Sequence, residues 1–293
     1  VQVIDPAFFM PQLNRNRRIW IYLPPDYATS NRNYPVLYMH DGQNVFDETT
    51  SFSGEWQVDE TLNDLFAAGD PGIIVVAIDN GGSNRIAEYT PWSHPTYGGG
   101  EGSAYIDFIV DELVPHINAN YRTLADRENT GILGSSLGGL ISLYGGIKFQ
   151  NTFSKVGSLS PAYWINPEIF NFTSSSGKQQ PMRIYQLMGT PEGASNVARM
   201  MQMEDTLRAI GFSDEELRTR EVADGEHSEW FWAREFEDAY QWLFRANPPT
   251  SATEISTQKK DIHLYPNPVR DGQFTLQLRL SSAQKVTIEV QDS

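Results

Sequence analysis

Between residues 130 and 149 a short apolar run, Thr130-Gly-Ile-Leu133, passes through Gly134-Ser-Ser-Leu-Gly138 into a segment of helical character ending near Phe149. A strand that turns into a helix this abruptly leaves no room for bulky neighbours, which is why glycine stands on both sides of the turn and again at Gly139. The serine in the middle, Ser136, is held at the exposed tip. Ser135 is the alternative, but it puts the glycines out of register. A unit of this kind requires a sheet with open strand ends and helices lying against its faces.

The rest of the chain supplies both. Apolar runs at 17–24, 35–40, 72–78, 155–159, 183–188 and 218–223 read as strands. Helices are expected near 58–68, 195–210 and 228–245, and over 103–120, where Tyr105, Ile106, Ile109, Val110, Leu113 and Ile117 recur at helical spacing and Pro115 is expected to kink the helix. Strands alternating with helices predict an α/β protein with a mainly parallel sheet covered on both faces. The most apolar stretch, 72–78, is far too short to span a bilayer.

Composition changes at Ala246. Residues 247–260 are almost devoid of apolar side chains and read as a linker. Beyond it, the runs starting at Phe274 and Val286 alternate with period two, the pattern of strands. The expected organisation is a catalytic domain over 1–246, the linker, and a short β-rich segment over 261–293. A start at Val1, without a basic or apolar leader, reads as a processed or trimmed N-terminus.

Charge and cysteine content narrow the chemistry. With 22 basic against 37 acidic side chains the net charge is −15, which argues against nucleic acid and anionic membrane surfaces as partners. The absence of cysteine removes disulfides, thiolate metal sites and cysteine nucleophiles.

A serine nucleophile needs a base, and the base needs a partner to orient it. On a strand–turn–helix scaffold the chain order is serine, acid, histidine. His40, His94 and His116 precede Ser136, and His263 lies beyond the linker. That leaves His227, in the polar loop Asp224-Gly-Glu-His227, against the plainer reading of a surface histidine at a helix start. Glu192, after the apolar run ending at Met188, is the best placed acid. Asp224 and Glu226 are too near His227 in sequence. The N–H groups of Leu137 and, in the loop Asp41-Gly-Gln-Asn44, of Gln43 are expected to hold an oxyanion. The rival reading of that loop is a calcium site built from Asp41, Asp47 and Glu48.

Aromatic residues in expected loops, Trp56, Trp92, Tyr97, Tyr163, Trp164 and Trp230, are candidates to line the substrate, with Trp92, Trp164 and Trp230 the chosen set. The segment 92–100 reads as a lid or rim.

Arg17-Arg-Ile-Trp-Ile-Tyr-Leu-Pro-Pro25, Leu37-Tyr-Met-His-Asp-Gly-Gln-Asn-Val-Phe46, Gly134-Ser-Ser-Leu-Gly-Gly139, Ser158-Leu-Ser-Pro161 and Gly225-Glu-His-Ser-Glu-Trp230 together resemble an esterase family of α/β hydrolases that includes carbohydrate esterase family 1 and enterobactin-type siderophore esterases. The likeness runs over about residues 10–245. It implies an α/β-hydrolase fold, serine esterase activity without a metal or other cofactor, and catalytic roles for Ser136 and His227. Many relatives have Asp where this chain has Glu192. The stretch from Leu264 to Leu276 resembles the C-terminal sorting domain of cargo of the bacterial type IX secretion system, here in partial form. That likeness implies an extracellular or surface-attached protein and the secretion machinery as a partner. The expected activity is removal of acetyl or feruloyl groups from plant polysaccharide. The alternatives are hydrolysis of a siderophore trilactone and a non-catalytic carbohydrate-binding role.

Overall fold

In strand β3 (Val36–Met39) every side chain is buried, because the strand has helices on both sides. Val36 and Tyr38 join one apolar cluster, while Leu37 and Met39 join another on the opposite face. The computed structural model describes residues 1–245, 263–270 and 273–277. The chain divides into two compact units, Val1–Pro248 and Pro249–Ser293.

In the first unit the elements are β1 (Gln2–Met10), β2 (Arg15–Tyr22), β3, α1 (Val58–Ala67), β4 (Ile74–Ile78), α2 (Arg85–Tyr89), the small ribbon β5 (Ser93–His94) and β6 (Gly98–Gly99), α3 (Gly102–Phe108), α4 (Val114–Asn120), β7 (Thr130–Ser135), α5 (Leu137–Lys148), β8 (Lys155–Leu159), α6 (Glu168–Ser176), β9 (Arg183–Gly189), α7 (Ala194–Ala209), β10 (Leu217–Val222) and α8 (Glu229–Phe244). Eight strands form one sheet in the order β1-β2-β4-β3-β7-β8-β9-β10. β1, β2 and β4 pair antiparallel, and from β4 onward every pairing is parallel. This is the α/β-hydrolase architecture.

One face carries Val36, Tyr38, Ile132, Val156 and Ile184 against α3 to α7. The other carries Leu37, Val75, Leu133, Leu159 and Leu187 against α1 and α8, whose Val58, Leu62, Phe231, Phe236, Tyr240 and Leu243 are buried. The period-two split of apolar residues along each strand is what makes the sheet two-faced.

One expectation needs correction, and one element was not expected. Around Pro115 the helix does not simply kink: a π-helical turn at Ile109–Leu113 joins α3 to α4. Proline offers no N–H to the carbonyl a turn earlier and crowds it, and a wider turn relieves both. β1 gave no strand signal, because it is an edge strand that pairs with β2 alone. Its register shifts on either side of Asp5, the second shift spanning Pro6, and its side chains are mostly exposed or half-buried.

In the second unit β11 (His263–Arg270) pairs antiparallel with β12 (Gln273–Gln277). The linker at 247–260 and the alternating run from Val286 lie outside the described residues.

Candidate active site

The parallel strands all end on the same side, and the side chains singled out from the sequence collect there. Ser136 follows β7 directly, with φ 58° and ψ −122°. Such a backbone is strained for any residue with a Cβ, and it holds because its neighbours over-determine it. Ser136 N–H donates to Leu159 O (2.9 Å), and Ser136 O accepts from Ala162 N–H (3.0 Å) and Leu140 N–H (3.1 Å). The glycine at 134 is required by close approach, since a Cβ there would lie 2.8 Å from the Gly138 carbonyl carbon.

Ser136 Oγ lies 2.9 Å from His227 Nε2. The other ring nitrogen, Nδ1, is 2.6 Å from Glu192 Oε2. With Nδ1–H donated to the carboxylate, Nε2 is left as an acceptor facing the serine hydroxyl. The histidine side chain is 48% exposed, whereas that of Glu192 is 2% exposed, so the base meets solvent and its partner does not. The loops after β9 and β10 touch so closely that a Cβ on Gly189 would lie 1.7 Å from Gly225 O. Of the two carboxylates nearer in sequence, Asp224 is paired with Arg234 (2.7 and 2.9 Å).

The sequence reading missed what holds Glu192. Its Oε1 accepts from Ser160 Oγ (2.7 Å) and from Gly189 N–H (2.8 Å). Ser160, buried at φ 44°, in turn accepts from the indole N–H of Trp232 (2.8 Å). The same indole stands edge-on to the His227 ring at 5.1 Å. Ser158-Leu-Ser-Pro161 was visible as a motif, but nothing local tied its second serine to an acid far along the chain.

Gln43 N–H and Leu137 N–H have no protein acceptor among the described residues, and the first amides of a helix are normally left open in this way. The loop after β3 packs under α5, where a Cβ on Gly138 would lie 3.3 Å from His40 Cβ and 3.4 Å from Asp41 Oδ2. The Gln43 side chain donates to Asn80 O (3.3 Å) and accepts from Asn80 N–H (3.0 Å), which fixes the loop to the end of β4. Asn44 Nδ2 (3.2 Å) and Ser53 Oγ (2.6 Å) both donate to Glu229, joining the loop to the first turn of α8. Beneath it, His40 is buried with Nδ1 3.0 Å from Tyr105 Oη, and burial pushes its pKa down to about 3.

The calcium reading of this loop does not match the geometry. Asp41 (φ 55°) gives its carboxylate to Arg85 (2.6 and 2.9 Å) and Asn80 Nδ2 (2.7 Å), while Asp47 accepts from Thr49. Among the described residues the carboxylates that converge are instead Glu55, Asp59 and Glu60.

The aromatic candidates separate. Trp164 and Trp230 are 42% and 47% exposed. Trp164 meets Tyr97 edge-on at 5.7 Å, and Tyr97 lies against His94. Trp230 borders a groove of about 460 Å³ between Glu55, Gln57 and α8. Trp92 is partly buried, with its ring edge-on to Tyr144 and Phe172 and its backbone held by Asn166, so it is engaged in packing. Trp56 and Tyr163 are buried and do not form a rim: Trp56 packs on Trp232, and Tyr163 bonds Ser158 and Gln186.

The family described as "Putative esterase" matches residues 11–243. The chain belongs to that family. It is similar to the uncharacterized protein YbbA of Bacillus subtilis, 29% identical over 80% of this chain and 95% of the relative. It is also similar to the iron(III) enterobactin esterase of Dickeya dadantii, 26% identical over 83% of this chain and 55% of the relative. The endo-1,4-beta-xylanase/feruloyl esterase of Xylanibacter ruminicola is 24% identical over 77% of this chain and 29% of the relative. Among solved structures, the IroE-like serine hydrolase of Shewanella oneidensis superposes with a TM-score of 0.66 at 23% identity, covering 80% of this chain and 77% of that one, a likeness of fold. The esterase is thus a carboxylic ester hydrolase of α/β-hydrolase fold. Among the described residues no helix is long and apolar enough to cross a membrane.

Proposed function

We propose that this esterase is an exported serine hydrolase that removes acetyl or feruloyl groups from plant polysaccharide, with Ser136 as nucleophile, His227 as general base and Glu192 as the orienting acid. The observation that carries the catalytic assignment is the unbroken hydrogen-bonded line from Ser136 Oγ through the imidazole to a buried carboxylate. His227 Nε2 takes the hydroxyl proton as Ser136 Oγ attacks the ester carbonyl. The oxyanion is held by the N–H groups of Leu137 and Gln43. His227 returns the proton to the leaving alcohol as the C–O bond breaks. Water then attacks the acyl-serine with His227 again as base, releasing the carboxylic acid and restoring the serine.

The substrate reading is supported by the exposed aromatic faces of Trp164, Tyr97 and Trp230, suited to sugars and phenolic acids, and by the feruloyl esterase among the relatives. The export reading rests on the resemblance of residues 264–276 to a type IX sorting domain, with 247–260 as its linker. The enterobactin esterase relative favours a second reading, a siderophore trilactone as substrate. The export reading argues against it, because the products of siderophore hydrolysis are of use inside the cell.

Acetylated xylan, methyl ferulate and a catecholate trilactone, each incubated with wild type and Ser136→Ala, separate these readings. The expected result is release of acetate or ferulate by wild type, with kcat falling by ~10⁴-fold or more in the variant while the thermal transition stays in place. Near-normal turnover by Ser136→Ala sinks the nucleophile assignment. Turnover of the trilactone alone replaces the substrate reading.

A further inference from the structure

At the N-terminal ends of β7, β8 and β9, opposite the ester site, lies a cavity of about 540 Å³ whose charged lining is Arg127, Lys155 and Arg183 together with Glu128, Glu215 and Glu216. Its size is that of a small-molecule site. The two guanidiniums are held by main-chain carbonyls. Arg127 donates to Gln150 O (2.8 Å) and Pro181 O (2.9 Å), and Arg183 donates to Trp242 O (2.8 Å) and Arg245 O (3.1 Å). Arg183 has no carboxylate within ion-pair distance among the described residues, whereas Arg127 also pairs with Glu128 (3.1 Å).

Lys155 stands between them with even less support. Among the described residues its ammonium reaches only Ser154 Oγ (3.1 Å), and no carboxylate lies within ion-pair distance. The carboxylates around it are committed to other partners or exposed, and none pairs with it. Glu216 is taken by Lys178 (2.7 Å) and by Ser213 N–H (2.9 Å), Glu128 pairs with Arg127 (3.1 Å) on the exposed side, and Glu215 and Asp126 are exposed. In a chain with 37 acidic against 22 basic side chains, a partly buried lysine without a carboxylate is a property of the place rather than of supply. An ammonium brings three donors, so two of them remain for something entering from the cavity.

We propose that this cavity is a second binding site, for a small molecule carrying a doubly charged oxyanion such as a phosphate or sulfate group. Its oxygens take the free N–H bonds of Lys155, and its charge offsets those of Lys155 and Arg183. Burial first, then Arg183 and Arg127, push the pKa of Lys155 down to about 8 from 10.5. An anion bound there favours the protonated amine, so affinity is full below about pH 8 and falls as pH rises through it.

Inorganic sulfate is the probe, since it does not titrate in this range. The intact protein is titrated calorimetrically at constant ionic strength set with chloride, at pH 7 and pH 9.5, as wild type and as Lys155→Met. The expected result is saturable binding at pH 7, weakened at least about ten-fold by the substitution, as loss of a charge-assisted hydrogen bond predicts. Wild-type affinity falls at pH 9.5, and that fall is absent in the variant. Equal affinity in both proteins overturns the proposal, as does an absence of saturable binding to wild type. The pH comparison on wild type needs no variant, so a folding defect in Lys155→Met leaves the proposal open to refutation.

Discussion

At the C-terminal ends of the parallel strands Asp41 after β3, Ser136 after β7 and Ser160 after β8 hold φ of 55°, 58° and 44°, whereas Arg127, Lys155 and Arg183 at the opposite ends have no such backbone. Each positive-φ residue costs of the order of 1–3 kcal/mol. The catalytic end accepts that cost because sharp turns aim side chains and open N–H groups at one point. The other end keeps relaxed backbone and is set apart by charge. Of the two strand ends, strain thus accompanies the one that positions the reacting groups, and the unpaired ammonium of Lys155 marks the one where a ligand would contribute.

The largest break in the comparison should come from Glu192→Gln. The amide keeps the shape but not the charge opposite Nδ1, so kcat is expected to fall by ~10³–10⁴-fold with the thermal transition little changed. Steady-state kinetics alongside thermal unfolding checks this, and a loss below ten-fold would move the acid role elsewhere.

A smaller effect belongs to the indole that holds Ser160. Trp232→Phe keeps an aromatic ring near His227 and removes the N–H donor along with part of the ring, so kcat should drop about ten-fold with KM unchanged. Because Trp232 acts through Ser160, adding Ser160→Ala should cost less in the Trp232→Phe background than in wild type. Full additivity would show that the indole is only packing.

The smallest effect on turnover comes from the far end. Lys155→Met should leave kcat/KM within about two-fold of wild type, since the strands, rising about 3.3 Å per residue, keep it well away from Ser136. Its effect is on stability. With the folded pKa at about 8 and the ordinary lysine value at 10.5, the protonated lysine burdens the folded state below pH 8, and the burden is relieved between pH 8 and 10.5. The variant's advantage in a low-sulfate denaturation series should therefore be largest near pH 7 and shrink toward pH 10. An advantage that does not change with pH would remove the electrostatic account.

Much of the fold was legible because its strands are two-faced and apolar and its helices amphipathic, signals that survive in one dimension. The expected bounds of β4, β8, β9, β10 and α8 fall within a residue or two of those observed. β1 was not legible, because an edge strand with exposed side chains has no reason to alternate. The helix α6 (Glu168–Ser176) passed unnoticed because only Ile169 and Thr173 in it are buried, too few to show a period. The rim was misread in part for the opposite reason: Trp56 and Tyr163 stand in segments that look like loops, yet tertiary contacts bury them.

The local sequence determined the strand–turn–helix at Ser136 and the order serine, glutamate, histidine along the chain, since both depend on near neighbours and connectivity. The tertiary structure alone decided that Ser160 and Trp232 hold Glu192, that Arg85 and Asn80 hold Asp41, and that three cations share one cavity. Partners 32, 72 and 44 residues apart, as these are for Ser160–Glu192, Ser160–Trp232 and Asp41–Arg85, leave no periodic trace in sequence. They meet only because a parallel sheet brings its strand ends side by side.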